Sequence, residues 1–415
     1  MMAGSSAQRV VAARLISSTG AEAAFVLGLW GKAAFVLEGT PTDLAIMSAL
    51  IGVAAMAGSV LGGVAVDRFD ARRVVLAAEV AFVPATLALI LADDLTSLFA
   101  LAAVSWLLGA VLETAIVSLP PVLVAPERLE ATNARLESAN SLALIVGPAV
   151  GALLITAFGL DAVFVFDAAT SVVALALVAA LHLPAVAPSP VDDDGETPGP
   201  VAGLRSALAG LGYAWRSGPI RTALYLAALP ALAFGVFIAL EPLFFRDIVG
   251  TEVETLGYVN AVYGLGLLVG SLALHRAGAR AGRFRVLAIL TVWSGLGGML
   301  YVASPALPVI VVGALVWSIP VGALFPLART LAQRFTPATH VGRVMGALGL
   351  VISGLPILPV VVAPALAAAF GLQAVLIGSS ALAVLGVPFV WSAVVRLDRS
   401  GPTPTPTPAA DVEVP

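Results

Sequence analysis

The chain has 415 residues, 60% of them hydrophobic and 11% charged, with a mean hydropathy of +1.03 and a net charge of −4. That apolar share is far above the roughly 45–50% of soluble domains and excludes a soluble protein, while the acidic balance without a basic tract excludes nucleic acid as a partner. There is no cysteine and there are only three histidines (His182, His275 and His340, all at loop positions), so disulfides, cysteine nucleophiles, metal sites and cofactors are not expected.

A spanning helix needs about 20 largely apolar residues, and twelve stretches meet that length. Their expected limits are 12–37, 43–66, 74–92, 96–120, 138–158, 160–182, 220–244, 255–275, 285–303, 306–328, 341–367 and 372–395. The N-terminus shows no small-residue cleavage site ahead of a polar segment and reads as an uncleaved first span. Arginines from Arg9 and Arg14 to Arg396 and Arg399 fall on one side of this scheme. The other side holds Arg246 alone among arginines, with acids such as Glu38, Asp43, Asp93, Asp94, Asp161, Asp247, Glu252 and Glu254. The positive-inside rule then places both termini in the cytoplasm of a cell with the protein in its plasma or inner membrane.

Between the second and third spans, residues 62–73 read GGVAVDRFDARR, with the spacing G-x-x-x-D-R-x-x-x-R-R. Gly62 and Gly63 allow a second backbone to pack close, and Asp67, Arg68, Arg72 and Arg73 mark a membrane face. This segment resembles the loop between helices 2 and 3 of the major facilitator superfamily of transporters, with Asp70 standing where that family usually has Gly. The resemblance implies an all-α membrane protein of twelve transmembrane helices in two pseudo-symmetric six-helix bundles. It also implies a cytoplasmic gate made by Gly63, Asp67, Arg68, Arg72 and Arg73, with Asp67 near the start of span 11, around Thr339 to Arg343, and Arg72 or Arg73 orienting it.

The fourth expected span has Trp106 three residues before Gly109 and no Arg, so an arginine-based proton switch of that helix cannot be carried over. In the fifth, Gly147-Pro148-x-x-Gly151 resembles the exporter motif of the superfamily, with Ala143 and Ala152 where the motif favours Gly. Pro126-Glu127-Arg128-Leu129 followed by Asn133-Ala134 resembles the branch containing macrolide-efflux and enterobactin-export proteins. Proline removes a backbone hydrogen bond and kinks a helix; glycines on one face permit close packing.

Residues 183–219 form the longest polar interruption and read as a linker whose second part, around Arg205 and Arg216, is an interfacial helix. The N-terminal bundle is then 1–182, the C-terminal bundle 220–396, and the Pro-rich tail 397–415 is expected to be disordered. Phe158-Gly159-Leu160-Asp161-Ala162-Val163 recurs as Phe370-Gly371-Leu372-Gln373-Ala374-Val375. Gly270 to Arg276 repeats Gly63 to Arg68 in worn form, with Leu274 near the place of Asp67. These matches fall at corresponding places of two halves.

Charges inside spans cost roughly 2.5–3.5 kcal/mol each at a span's centre, so they single out candidate sites. Glu22, Lys32, Glu113 and Asp167 are expected in a coupling or substrate cavity, whereas Glu79 and Glu241 could reach a headgroup layer. On span 1, Ser18, Glu22, Phe25, Leu29 and Lys32 share an arc of roughly 120°. Glu22 and Lys32 lie about 15 Å apart along the axis and cannot pair, so Lys32 is expected to pair with Asp167. Of Trp30, Trp106, Tyr225, Phe234, Trp293 and Trp317, which could stack on a planar solute, most read as packing or belt residues. No phosphate loop, G-x-S-x-G or ligand cluster supports an enzyme. The expected function is export of an amphipathic small molecule, a drug or siderophore, in exchange for protons; uptake or facilitated diffusion, and a receptor or scaffold that no longer transports, are the other readings.

Overall fold

A computed structural model describes residues 2–181, 210–337 and 340–400. Among them twelve helices are long and apolar enough to cross a membrane: Ser6–Val36, Pro41–Arg68, Ala71–Leu91, Leu95–Val117, Ala131–Phe158, Ala162–Ala179, Gly218–Val249, Val253–Ala277, Phe284–Tyr301, Leu307–Arg334, Val341–Phe370 and Leu372–Arg399. They are called spans 1 to 12. The face on which span 1 begins and span 12 ends is the near face; the opposite one is the far face.

Local chemistry sets the helix ends. Thr40 and Asp43 form a reciprocal capping box at the start of span 2, with Pro41 in the first turn. Asp94 accepts the backbone N–H groups of Thr96 and Ser97 at the start of span 4, and these bonds hold its carboxyl below the ordinary value. Spans 5 and 11 both end on a glycine at positive φ, Gly159 at 85° and Gly371 at 84°, within the two copies of Phe-Gly-Leu. Glycine adopts that conformation without steric cost.

Span 1 begins at Ser6 rather than at the expected 12, because the helix continues through the polar start of the chain. Arg14 therefore lies two turns inside it. Span 12 likewise continues past 396 to Arg399. The helix over 210–216 docks on the start of span 11 rather than only lying along a surface: the Tyr213 ring stacks on His340 with centroids 4.6 Å apart. Residues 183–209 of the expected linker and the tail beyond 400 lie outside the described residues.

Three apolar clusters make the core. One, toward the far face, joins both halves: Leu27, Trp30 and Ile155 pack with Val236, Phe244, Val253 and Leu256. The other two lie toward the near face, one built from spans 1, 3, 4 and 6 with Leu123 and Leu136, the other from spans 7 and 9 to 12 with Ala214. The halves are thus joined at the far face, while their near-face cores are separate. Span 2 packs on span 11 and span 5 on span 8. At the second seam Thr156 and Tyr258 share a 2.9 Å hydroxyl contact. Spans 1 and 7, which occupy equivalent places in the halves, both loosen into π-helical turns near the far face, over Ala24–Leu29 and Lys32–Val36 in span 1 and Phe244–Val249 in span 7.

Candidate functional site

A cavity of about 500 Å³ lies within the first half, and every residue lining it belongs to spans 1 to 6. Span 1 supplies Arg14, Ser17, Ser18, Glu22 and Phe25; span 4 supplies Trp106 and Glu113. The Arg14 guanidinium pairs with Glu113, and its Nε donates to Asn140 Oδ1 on span 5 at 2.5 Å. Ser18 donates to the same Asn140 oxygen at 3.2 Å. Arg14, Ser18 and Glu22 recur at four-residue intervals, so the stripe expected on span 1 extends one turn further toward the near face. Arg14 is therefore an interior residue and not one of the near-face charges among which the expected topology places it, and its four-residue spacing from Ser18 is the signal in the sequence.

Glu22 lines this cavity, half-buried, with Arg14 as the charged group acting on it and no hydrogen bond or ion pair among the described residues. The span 5 motif lies directly behind it: a Cβ on Gly147 would fall 2.5 Å from Glu22 Cβ, and one on Gly151 would fall 2.9 Å from Leu27 Cδ1. Pro148 lies inside the same helix. Trp106 and Phe25 meet edge to face at 4.8 Å and form an aromatic wall beside the carboxylate.

Asp167 also lines the cavity and accepts a 2.7 Å hydrogen bond from Thr86 on span 3. Lys32, expected in this cavity, is not among the residues lining it, and the expected Lys32–Asp167 pair does not form. Lys32 instead donates to the carbonyls of Leu89 and Ile90 at 2.8 and 2.7 Å, and its other neighbour is Asp161 at 3.9 Å. The last carbonyls of a helix are not fully hydrogen-bonded within it and carry its negative pole, so they attract a buried ammonium; Leu89 O also takes the Ala92 N–H, at 3.3 Å. Glu79 does not reach a headgroup layer: it is 1% exposed and neither of its oxygens has a hydrogen-bond partner among the described residues.

At the near-face loop, Gly62 packs on span 4 against Thr114 and Val111, but a Cβ on Gly63 would meet nothing within 4 Å. Only the first of the two glycines is therefore used for close approach here. Asp67 is exposed and has no hydrogen bond or ion pair among the described residues; Thr339 lies outside them. Arg72 does not orient Asp67, because it donates to the carbonyls of Val178 and Ala179, at 3.1 and 2.5 Å, and so closes the end of span 6. Arg68 and Arg73 are exposed. Asp70 has φ −58°, a turn that needs no glycine, and its carboxylate accepts the Arg73 backbone N–H as the cap of span 3.

The far face is held across the halves by Arg246. Its Nη1 donates to Ala34 O, in the last turn of span 1, at 2.5 Å and to Gly39 O, beyond its end, at 3.0 Å, while Asp247 takes Nε and Nη2 at 2.6 and 3.0 Å. In the second half Glu241 does not face headgroups but accepts a hydrogen bond from Tyr301. Tyr301, Tyr263, Phe237 and Trp317 gather there into one aromatic cluster.

Twelve spans in two bundles, joined at one face, with a polar cavity inside one bundle, define a transporter. A family model described as Major Facilitator Superfamily matches residues 10–247 and 226–414, and the chain belongs to that family. It is 28% identical over 373 residues to the multidrug efflux pump Tap of Mycolicibacterium fortuitum, covering 85% of this chain and 88% of the relative. It is 27% identical over 380 residues to the enterobactin exporter EntS of Escherichia coli O81 (strain ED1a), covering 87% and 86%. Among solved structures, the nucleoside transporter NupG aligns with a TM-score of 0.72 at 12% identity over 94% of this chain and 99% of that one. A bacterial homologue of the lysosomal transporter Spinster, inward-facing and unoccupied, aligns with a TM-score of 0.66 at 14% identity over 97% and 99%. These relatives and neighbours are transporters, and this chain is a multi-pass cell-membrane transporter rather than an enzyme.

Proposed function

We propose that the protein exports an amphipathic small molecule, of the drug or siderophore kind, in exchange for protons, with the near face in the cytoplasm. One observation carries the reading: the cavity in the first half places the unpaired carboxylate of Glu22 beside the aromatic wall of Phe25 and Trp106. An amphipathic solute needs apolar surface and a few polar groups, and this wall offers both. Glu113 is neutralised by Arg14, and Asp167 accepts a hydrogen bond from Thr86. Glu22 is thus the cavity carboxylate without a hydrogen bond or ion pair among the described residues, and the one we assign to gain and lose a proton as the cavity changes sides. Efflux relatives support the export direction.

In this scheme the described state is open to the cytoplasm: Arg246 and the shared apolar core close the outer face, and Asp67 stands disengaged. Closing the near face would bring Asp67 and its neighbours Gly63, Arg68 and Arg73 against the start of span 11, where the positive end of a helix can hold a carboxylate. The test uses proteoliposomes with an imposed pH gradient and a panel of fluorescent amphipathic cations and catechol-type chelators. Uphill movement of one compound, coupled to proton release and lost in Glu22→Gln, supports the proposal. Transport that only runs downhill and ignores the pH gradient would replace it with a facilitator.

A further inference from the structure

Apart from the site above, a second cavity of about 480 Å³ opens where spans 9, 10 and 12 end on the near face, and four guanidinium groups line it: Arg283, Arg285, Arg334 and Arg399. The one carboxylate among the lining residues, Asp398, has both oxygens engaged by backbone. It accepts the backbone N–H groups of Phe284 and Arg285 at 2.8 and 3.0 Å, capping span 9, and its side chain is 10% exposed. Arg285 lies 3.7 Å from that carboxylate. Arg334 uses one nitrogen on Gly282 O at 3.2 Å. Arg283 and Arg399 are exposed, and their side chains have no ion pair or hydrogen bond among the described residues. Positive charge is therefore concentrated in a concave site and only partly neutralised.

Depth identifies the ligand. Span 9 starts at Phe284, span 10 ends at Arg334 and span 12 ends at Arg399, so the cavity lies at the level of lipid headgroups. Phe335 and Leu397 line its wall, and the outer surface of span 12 continues into the hydrocarbon with Leu385 64% and Phe389 82% exposed. Phe389 is ten residues from Arg399, about 15 Å down the helix, within reach of the acyl chains of a lipid whose headgroup sits among the arginines. A soluble anion would use the arginines and leave this apolar approach without a role. We propose that the cavity binds the phosphodiester headgroup of an anionic phospholipid and holds spans 9, 10 and 12 together through it.

The full chain in detergent, examined by native mass spectrometry with added cardiolipin, phosphatidylglycerol or phosphatidylcholine, tests this. Wild type should retain the anionic lipids over phosphatidylcholine. Arg283→Gln with Arg399→Gln should weaken that retention about 30-fold, at roughly 1 kcal/mol per arginine near the surface, whereas Arg276→Gln with Arg280→Gln, the same charge loss elsewhere on this face, should leave it intact. Equal retention in the pocket variant, or equal loss in both variants, would overturn the proposal, the latter by showing diffuse attraction. Displacement of bound lipid by millimolar inorganic phosphate would overturn it in favour of a soluble-anion site. Should the pocket variant fail to fold, hydrogen exchange on the wild type decides: cardiolipin, and not phosphatidylcholine, should protect the backbone of 282–286 and 396–399.

Discussion

Replacing Arg246 by Ala removes two hydrogen bonds that cross between the halves, to Ala34 O and Gly39 O. A hydrogen bond with one charged partner contributes about 1.5–3 kcal/mol, and the Arg246 side chain is 25% exposed, which favours the lower end. The pair then amounts to about 3 kcal/mol, a little over two powers of ten in the ratio of far-closed to far-open molecules. A population held near 99:1 by this contact would fall to comparable amounts of each state. The chain has no cysteine, so spin labels on Thr42→Cys and Glu252→Cys would be its only two. Both positions are exposed and lie on either side of the far-face junction. Pulsed electron resonance distances between them should show a second, longer population in Arg246→Ala. Asp247→Asn, which keeps the carbonyl contacts, should stay close to wild type. Identical distance distributions in wild type and Arg246→Ala would refute the idea that this residue latches the far face.

Glu22→Gln should abolish substrate-driven proton movement in proteoliposomes while substrate binding persists; normal pumping by Glu22→Gln alongside failure of Glu113→Gln would move the coupling group to span 4. Lys32→Met removes the ammonium from the carbonyls of Leu89 and Ile90 and, at the lower end of about 1.5–3 kcal/mol for each of two bonds, should cost about 3 kcal/mol in detergent stability, with Asp161→Asn, 58% exposed, near the roughly 0–1 kcal/mol of a surface pair. Lys32→Met and Asp167→Asn should be additive within about 0.5 kcal/mol, and strong coupling between them would show that they do meet. Gly147→Val should disrupt the span 1–span 5 contact at Glu22 and lower both thermal stability and flux, whereas Gly63→Ala, which meets open space, should leave stability unchanged; equal effects would contradict the packing. For Asp94, whose folded value is depressed, the cap contributes above the unfolded carboxylate range and is lost as pH falls through the lower folded value, so the melting difference between wild type and Asp94→Ala should shrink on acidification.

The spans and their pairing into halves were legible because both depend on what a linear pattern carries: runs of apolar residues and recurring turn residues such as Gly159 and Gly371. The cavity-lining part of span 1, Ser18, Glu22, Phe25 and Leu29, was legible for the same reason, since helical spacing needs no partner to be recognised; Lys32, on the same arc, lies outside the lining. What escaped were contacts decided by backbone groups. Lys32 was matched with Asp167 by charge and depth, but the structure offers it the carbonyls of Leu89 and Ile90; no residue letter encodes a helix's unpaired carbonyl. Arg72 on span 6 and Arg246 at the far end of span 1 repeat that lesson. Arg14 escaped for a different reason: a helix that begins at Ser6 instead of 12 turns a surface charge into an interior one.

That interior arginine bears on how the chain enters the bilayer. Span 1 carries Arg14, Glu22 and Lys32, and its mean hydropathy of 1.4 is matched as the lowest of the twelve only by span 9. A segment with three such groups inserts poorly alone, because each central charge costs about 2.5–3.5 kcal/mol until it finds a partner. The Asn140 partner of Arg14 lies 126 residues later in the chain, a delay of about 6–25 s at a synthesis rate of 5–20 residues per second. Span 1 thus leaves the ribosome well before its partners, and its final seating waits on the arrival of spans 4 and 5.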